Sequence, residues 1–404
     1  MDAYLLDFAN ALLRWLHVIA AIAWIGESFY FVMLDNSLQP PRSATGKQQG
    51  VFGEMWAVHG GGFYHNQKYL TNPAELPDDL HWSFWKAYST WLSGFALFAV
   101  LYLMKPSFYL VNPGSDWAWA TAMTGWQAGI LAVFFLAAGW LAYDQLCRRI
   151  SPTMERDGAL SIAVAILMVV VAYATAHIFQ GRAAFLITGA VMATCMSANV
   201  FFWIIPGQRR MVQALKSGQP IDPLDGKRGK QRSVHNTYFT LPVVFLMLSN
   251  HYSFTFSGTY AWVIMSLFIF SGAAIRQYFV LRHTGEQRVL YPVLGTVLLG
   301  MAAWLAAPVR PDTAVQTVDI GTIETIVAAR CTQCHAAQPT QAGFASAAGG
   351  LDLGSPEMLT QHADQIKQAV ATRYMPLGNL TKMTESERAA ISAWNASHQR
   401  PAPR

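Results

Sequence analysis

The sequence predicts an all-α fold. Residues 1–307 form a polytopic bundle of about eight membrane-spanning helices, 308–319 a connection, and 320–404 a small helical domain. Two observations carry this. Of 404 residues, 53% are hydrophobic and only 13% charged, whereas soluble domains carry about 25% charged residues. Several runs of roughly 20 residues are also nearly free of charge, the length a helix needs to cross about 30 Å of hydrocarbon.

Spans are expected at 9–34, 81–104, 117–145, 160–179, 183–205, 237–257, 260–281 and 290–307. The first apolar run is long enough to stay as a span instead of being removed as a signal. Arg148, Arg149 and Arg156 follow the third span. Arg209, Arg210, Lys216, Lys227, Arg228, Lys230 and Arg232 follow the fifth, and Arg282 and Arg288 the seventh. Connections on the other side are short and nearly uncharged. The positive-inside rule puts the basic loops in the cytoplasm and both termini outside. Within the spans, Trp and Tyr near the ends read as interface anchors, Cys195 as a packing residue, and Pro242 as a kink near a cavity. Cys147 reads as a reduced thiol at the cytoplasmic edge.

The formal net charge is +5. Residues 310–404 carry eight basic and eight acidic side chains, so the excess lies in the membrane loops. Topology explains it, and no nucleic-acid partner is expected.

The C-terminal domain contains "AARCTQCHAAQ", residues 328–338. Cysteines two apart followed by histidine read as covalent attachment of a c-type haem, with Cys331 and Cys334 bonding the porphyrin and His335 the iron. A disulfide or zinc knuckle would bring a second Cys/His pair, and a thioredoxin-like CxxC a βαβ context. Neither is present in the sequence. A sixth ligand is expected from Met375 in "RYMPLGN", where Pro376 and Gly378 keep the chain out of a helix. Met383, just before the helix cap, is the rival and reads as packing. Thr384 and Glu387 form a capping box opening a helix over 385–397. Together these features resemble a class I cytochrome c. Haem c is attached in the periplasm, which agrees with the outside C-terminus.

Ionisable residues inside spans are costly and usually functional. Arg14, His17, His177 and His251 fall in the periplasmic half, and Glu27, His81, Asn236 and Arg276 toward the cytoplasm. His17, His177 and His251 suit the iron of an internal b-type haem, with Arg14, one turn from His17, on a propionate. The same histidines could instead hydrogen-bond across helices. The cytoplasmic connection 35–80 contains "GEMWAVHGGGFYHNQKYL".

That string, with "LRWLHVIAAIAWIGESFYFVMLDNSLQPP" and "LHWSFWKAYSTWLSGFALF", resembles the membrane-bound urate oxidase (urate hydroxylase) family over essentially the whole chain. "RWLHVIAAIAWIG" is more weakly similar to the bacterial membrane protoporphyrinogen oxidases, where a histidine there is tied to haem b. The first resemblance implies a bacterial inner-membrane enzyme of purine catabolism. Such an enzyme oxidises urate to 5-hydroxyisourate with water as the oxygen source. Electrons leave through the cytochrome toward a soluble cytochrome c or terminal oxidase. Residue roles are inferred from chemistry. Urate is a flat monoanion needing a cation, donors, an aromatic face and a base. Glu27 or His65 is the expected base. His59, Tyr64, Asn66, Lys68 and Arg276 are the expected binding groups, with Trp82, Trp85 and Lys86 nearby. Gly60, Gly61 and Gly62 would let backbone approach the ligand, and a solvated loop with an aromatic belt is the plainer reading. A quinol-linked or oxidase-associated electron-transfer component is the alternative function, and a transporter with an appended redox sensor a more distant one. A homo-oligomer is compatible with the sequence.

Overall fold

A computed structural model describes residues 2–70, 73, 76–307, 318–341, 344 and 346–398. Most of the expected connection 308–319 lies outside the described residues. The chain is predominantly helical. Its first helix, α1, runs unbroken over Asp2–Asn36, because no proline interrupts the apolar run. It is followed by strands β1 (Gly53–His59) and β2 (Gly62–Lys68), which pair antiparallel. Gly60 and Gly61 have φ of +59° and +79°, the left-handed pair a two-residue hairpin turn demands. They turn the chain between the paired strands.

Helix α2 (Trp85–Phe98) continues as a π-turn over Ala99–Leu103 and ends ahead of Pro106, which keeps Lys105 out of the α region and opens a separate short helical turn, Pro106–Tyr109. The expected third span divides. A short turn over Ala118–Thr121 precedes α3 (Gly125–Ile150), which Thr124 and Gln127 open as a capping box. Next come α4 (Asp157–Ile178) and α5 (Gly181–Ala198). A second π-turn over Asn199–Ile204 joins α5 to α6 (Ile205–Lys216). The sixth span differs most from expectation. Asp222 caps and Pro223 starts α7 (Pro223–Leu248) inside the basic loop. That helix ends before His251, which sits in a 3₁₀ turn. Pro242, buried inside α7, rests on Gly272, where a Cβ would lie 2.8 Å from the proline ring. Helices α8 (Ala261–His283) and α9 (Leu290–Leu305) complete the bundle.

Among the described residues, five stretches are long and apolar enough to cross a membrane: Phe8–Asn36, Gly125–Ile150, Asp157–Ile178, Gly181–Lys216 and Ala261–His283. Leu290–Leu305 is apolar but shorter. The basic first half of α7 and the brevity of α2 keep those two helices out of that set. The chain is thus compatible with a multi-pass membrane protein. Helix α5 lies at the centre, packed by α2, α3, α4 and α7. Trp15, Leu16, Ile19 and Ile22 of α1 remain exposed, as a lipid-facing stripe does.

One polar network is sealed inside. Arg232 pairs with Asp144 at 2.8 Å, their side chains 3% and 4% exposed. Trp203 donates to the same carboxylate and Arg148 pairs with it. Asn199, in the π-turn, accepts from Arg232 and donates to Tyr143 and Asn236. His235 bonds Tyr143 at 2.8 Å. Removing one partner of such a pair strands the other charge, which costs about 3–5 kcal/mol. Arg232→Ala is therefore expected to lower the thermal midpoint of the detergent-solubilised protein sharply, with Asp144→Ala doing the same and the double variant less than their sum.

Residues 320–398 form a second unit with its own core. Helix α10 (Ile320–Arg330) packs against the last helix, α13 (Glu385–His398). Between them lie α11 (Pro356–Gln361) and α12 (Ala363–Ala371). Ile323, Val327, Leu359, Val370, Met383, Ile391 and Trp394 fill the interior. This unit touches the bundle at one end. Phe344 meets the edge of Phe108 and lies under Lys105. Gly378, at φ +56°, sits where any side chain would run into Gln180.

Candidate functional site

Two cavities lie along α1, one toward each end of the bundle. The upper cavity, nearer the C-terminal unit, has a volume of about 340 Å³ and largely apolar walls. Arg14, His17, Tyr102, Arg182, Asn250 and His251 supply its polar groups. Nδ1 of His17 lies 3.0 Å from the Thr90 carbonyl and 3.1 Å from the Ser93 hydroxyl. A carbonyl can only accept, so Nδ1 carries the proton and Nε2 keeps its lone pair. A Cβ at Gly94 would fall 2.8 Å from Cε1 of His17, so the glycine makes the cradle in which the imidazole lies. The π-turn of α2 places Tyr102 at this cavity, where it donates to Asn250, as does Arg182. Such turns recur at functional sites.

Of the three histidines expected to share a site, the structure brings His17 and His251 to this one cavity. His177 lies apart, stacked between Tyr173 and Trp117 with Nδ1 bonded to the Tyr173 carbonyl. Arg14 lines the cavity and is also tied to Asn10. Arg182 joins it.

The lower cavity, about 560 Å³, is more polar. Glu27, Asp35, Asn66, Lys68, Lys230, Asn236 and Tyr238 line it, with Trp24 and Trp82 as its indoles. Both volumes fall within the range of small-molecule sites. Lys86 donates to Glu27 at 2.7 Å, and Lys68 to Asp35 at 2.6 Å. Nδ2 of Asn66 is buried with no hydrogen-bond partner. Leaving a buried donor unpaired costs about 1–3 kcal/mol, which a ligand's carbonyl would recover. Asn236 links this wall to the buried network through Asn199.

The expected binding groups divide accordingly. Glu27, Asn66 and Lys68 line the cavity, while His59, Tyr64 and His65 do not. Strand alternation puts His65 on the hairpin face opposite Asn66 and Lys68, whereas Tyr64 shares their face but stands nearer the turn. His65 stacks on Trp56 at 4.2 Å and pairs with Glu54 at 3.0 Å. The Arg42 backbone N–H, with His65, holds the Glu54 carboxyl below the usual carboxylate range. His59 and Tyr64 are exposed. Arg276 is buried behind the cavity wall, over the Phe29 ring at 4.1 Å, with Nε and Nη2 unpartnered. Its neighbour Gln277 accepts from Tyr238, which does line the cavity.

In the C-terminal unit, Cys331 and Cys334 are free thiols, burial pushing Cys331 up to about 11. His335 directs Nδ1 at the Leu351 carbonyl, 3.2 Å away, which leaves Nε2 for another partner. Arg388 fixes the Met375 loop by donating to the carbonyls of Met375 and Val370 and to Asn379. Met383 is buried in the core, whereas Met375 is only partly covered. Arg330 clamps the crossing of the first and last helices through Glu387 and the Thr381 carbonyl.

A family model described as urate oxidase N-terminal matches residues 3–307. No curated protein and no solved structure matches the chain.

Proposed function

Because the chain belongs to the urate oxidase N-terminal family, we propose that it is a membrane oxidoreductase that converts urate to 5-hydroxyisourate in the lower cavity and exports the electrons through its C-terminal unit. The observation that carries this is the lower cavity itself. It combines an unpartnered amide donor, a carboxylate, cations and two indoles, the set a flat, carbonyl-rich anion needs. Asn66 donates to a ring carbonyl. Lys68 and Lys230 supply positive potential, and Trp24 and Trp82 cover the ring faces. Glu27, held by Lys86, takes the proton. The reaction balances as urate monoanion plus water giving 5-hydroxyisourate, one proton and two electrons.

The residues present fit two haems. In the C-terminal unit, Cys331 and Cys334 would bond a haem c, His335 and Met375 would hold its iron, and Arg388 keeps the methionine loop in place. In the upper cavity, His17 and His251 would ligate a haem b, with Arg14 and Arg182 facing propionates. The cradle at Gly94 and the proton on His17 Nδ1 support that assignment; His177, outside the cavity, is not needed for it. Bound there, haems supply one-electron acceptance, which lets a two-electron oxidation proceed without bound oxygen.

Basic loops then face the cytoplasm of a bacterial inner membrane, the cytochrome-like unit faces the periplasm, and a soluble cytochrome c or terminal oxidase takes the electrons onward. The test is anaerobic addition of urate to the purified, haem-loaded protein while recording the reduced α-bands. Reduction by urate supports the reading. Reduction by a quinol but not by urate would move the protein to the quinol-linked class.

A further inference from the structure

Trp24 lines both cavities and is the residue they share. It stands on α1 two turns after His17 and about one turn before Glu27. The three therefore share a face of that helix, with His17 in the upper cavity and Glu27 in the lower. The indole packs against the main core and also against the small cluster of Ala87, Val200 and Ile205 beside the lower cavity. The wall between the two chambers is thus in part a single aromatic ring.

We infer that Trp24 is the electronic bridge between the purine site and the redox site, a role distinct from packing. The inference rests on the reading above, in which a ferric porphyrin occupies the upper cavity. Each urate gives up two electrons singly, each passing across the indole to a ferric centre. Water supplies the oxygen, one proton is released in the lower cavity, and the indole is unchanged at the end. Neither Leu101 nor Leu186 of the upper wall, nor Val200 or Ile204 of the lower, reaches both chambers.

The test uses the whole haem-loaded protein with Trp24→Leu and Trp24→Phe. Stopped-flow absorbance after anaerobic mixing with urate reads electron arrival. Displacement of bound xanthine reads the purine site, and pyridine spectra with dithionite read the haem content. At saturating urate, leucine should slow haem reduction by about tenfold or more, beyond any loss of purine affinity and at unchanged haem content, with phenylalanine in between. Reduction at the wild-type rate in both variants overturns the bridge, as does a rate that falls only in step with purine affinity. If leucine costs haem, phenylalanine decides: slowed arrival with intact binding supports the inference, and a wild-type rate overturns it. A pyridine spectrum with c-type haem alone in the unaltered protein overturns the upper-cavity reading and the bridge with it. No Trp24 variant mimics that result.

Discussion

Alanine at both Cys331 and Cys334 is expected to yield protein with no covalently attached haem and no urate-driven reduction of the C-terminal unit. Thioether bonds to the porphyrin need both sulfurs, and His335 alone leaves a haem held by its axial ligands. Loss should be confined to that unit, because its core of Ile323, Val327, Val370, Ile391 and Trp394 is separate from the bundle's. Purine displacement and the b-type spectrum should therefore survive. Haem staining after denaturing electrophoresis, run beside Cys195→Ala, reads the outcome. A stained band in the double variant, or urate turnover at the unaltered rate, would remove the cytochrome from the mechanism.

How much of this was legible in the sequence depended on whether the signal was local. The five helices long and apolar enough to cross a membrane overlap expected spans, and the last helix follows from Thr384 and Glu387, since span length and capping are written in consecutive residues. Boundaries failed where a start signal lay in a polar stretch. Asp222-Pro223 begins α7 well ahead of its apolar half, and His251 consequently falls in a turn. The π-turns at Ala99–Leu103 and Asn199–Ile204 had no sequence marker, yet they set Tyr102 in the upper cavity and Val200 and Ile204 in the lower.

The sites divide in the same way. Cys331, Cys334 and His335 are contiguous and could be read directly. Asn66, Lys68 and His65 stand together in one string whose polar side chains suit a flat anion, and an irregular loop would let all three converge on it. Once 53–68 is a hairpin, period-two alternation sends His65 to the opposite face. The buried network of Tyr143, Asp144, Asn199 and Arg232 joins three helical segments, and no spacing within one segment could reveal it. Arg232 reads as one charge of a basic loop until the fold places it against Asp144.

Glu27→Gln carries the largest kinetic effect. The glutamine keeps the volume and one acceptor oxygen of the original, so the cavity and the contact with Lys86 should persist, and purine affinity should change little. What is lost is the carboxylate proposed to take a proton in the oxidation. Losing a positioned general base lowers kcat by about 10²–10⁴-fold. Two further readouts separate this from a structural role. The acid limb of the kcat–pH profile should disappear in the variant, and turnover should slow with KM held. Lys68→Met offers the contrast, because a binding cation removed from the rim raises KM more than it lowers kcat. If Glu27→Gln turns over within about threefold of the parent, the proton goes elsewhere, and the lower cavity loses its claim to the chemistry even if purines bind there.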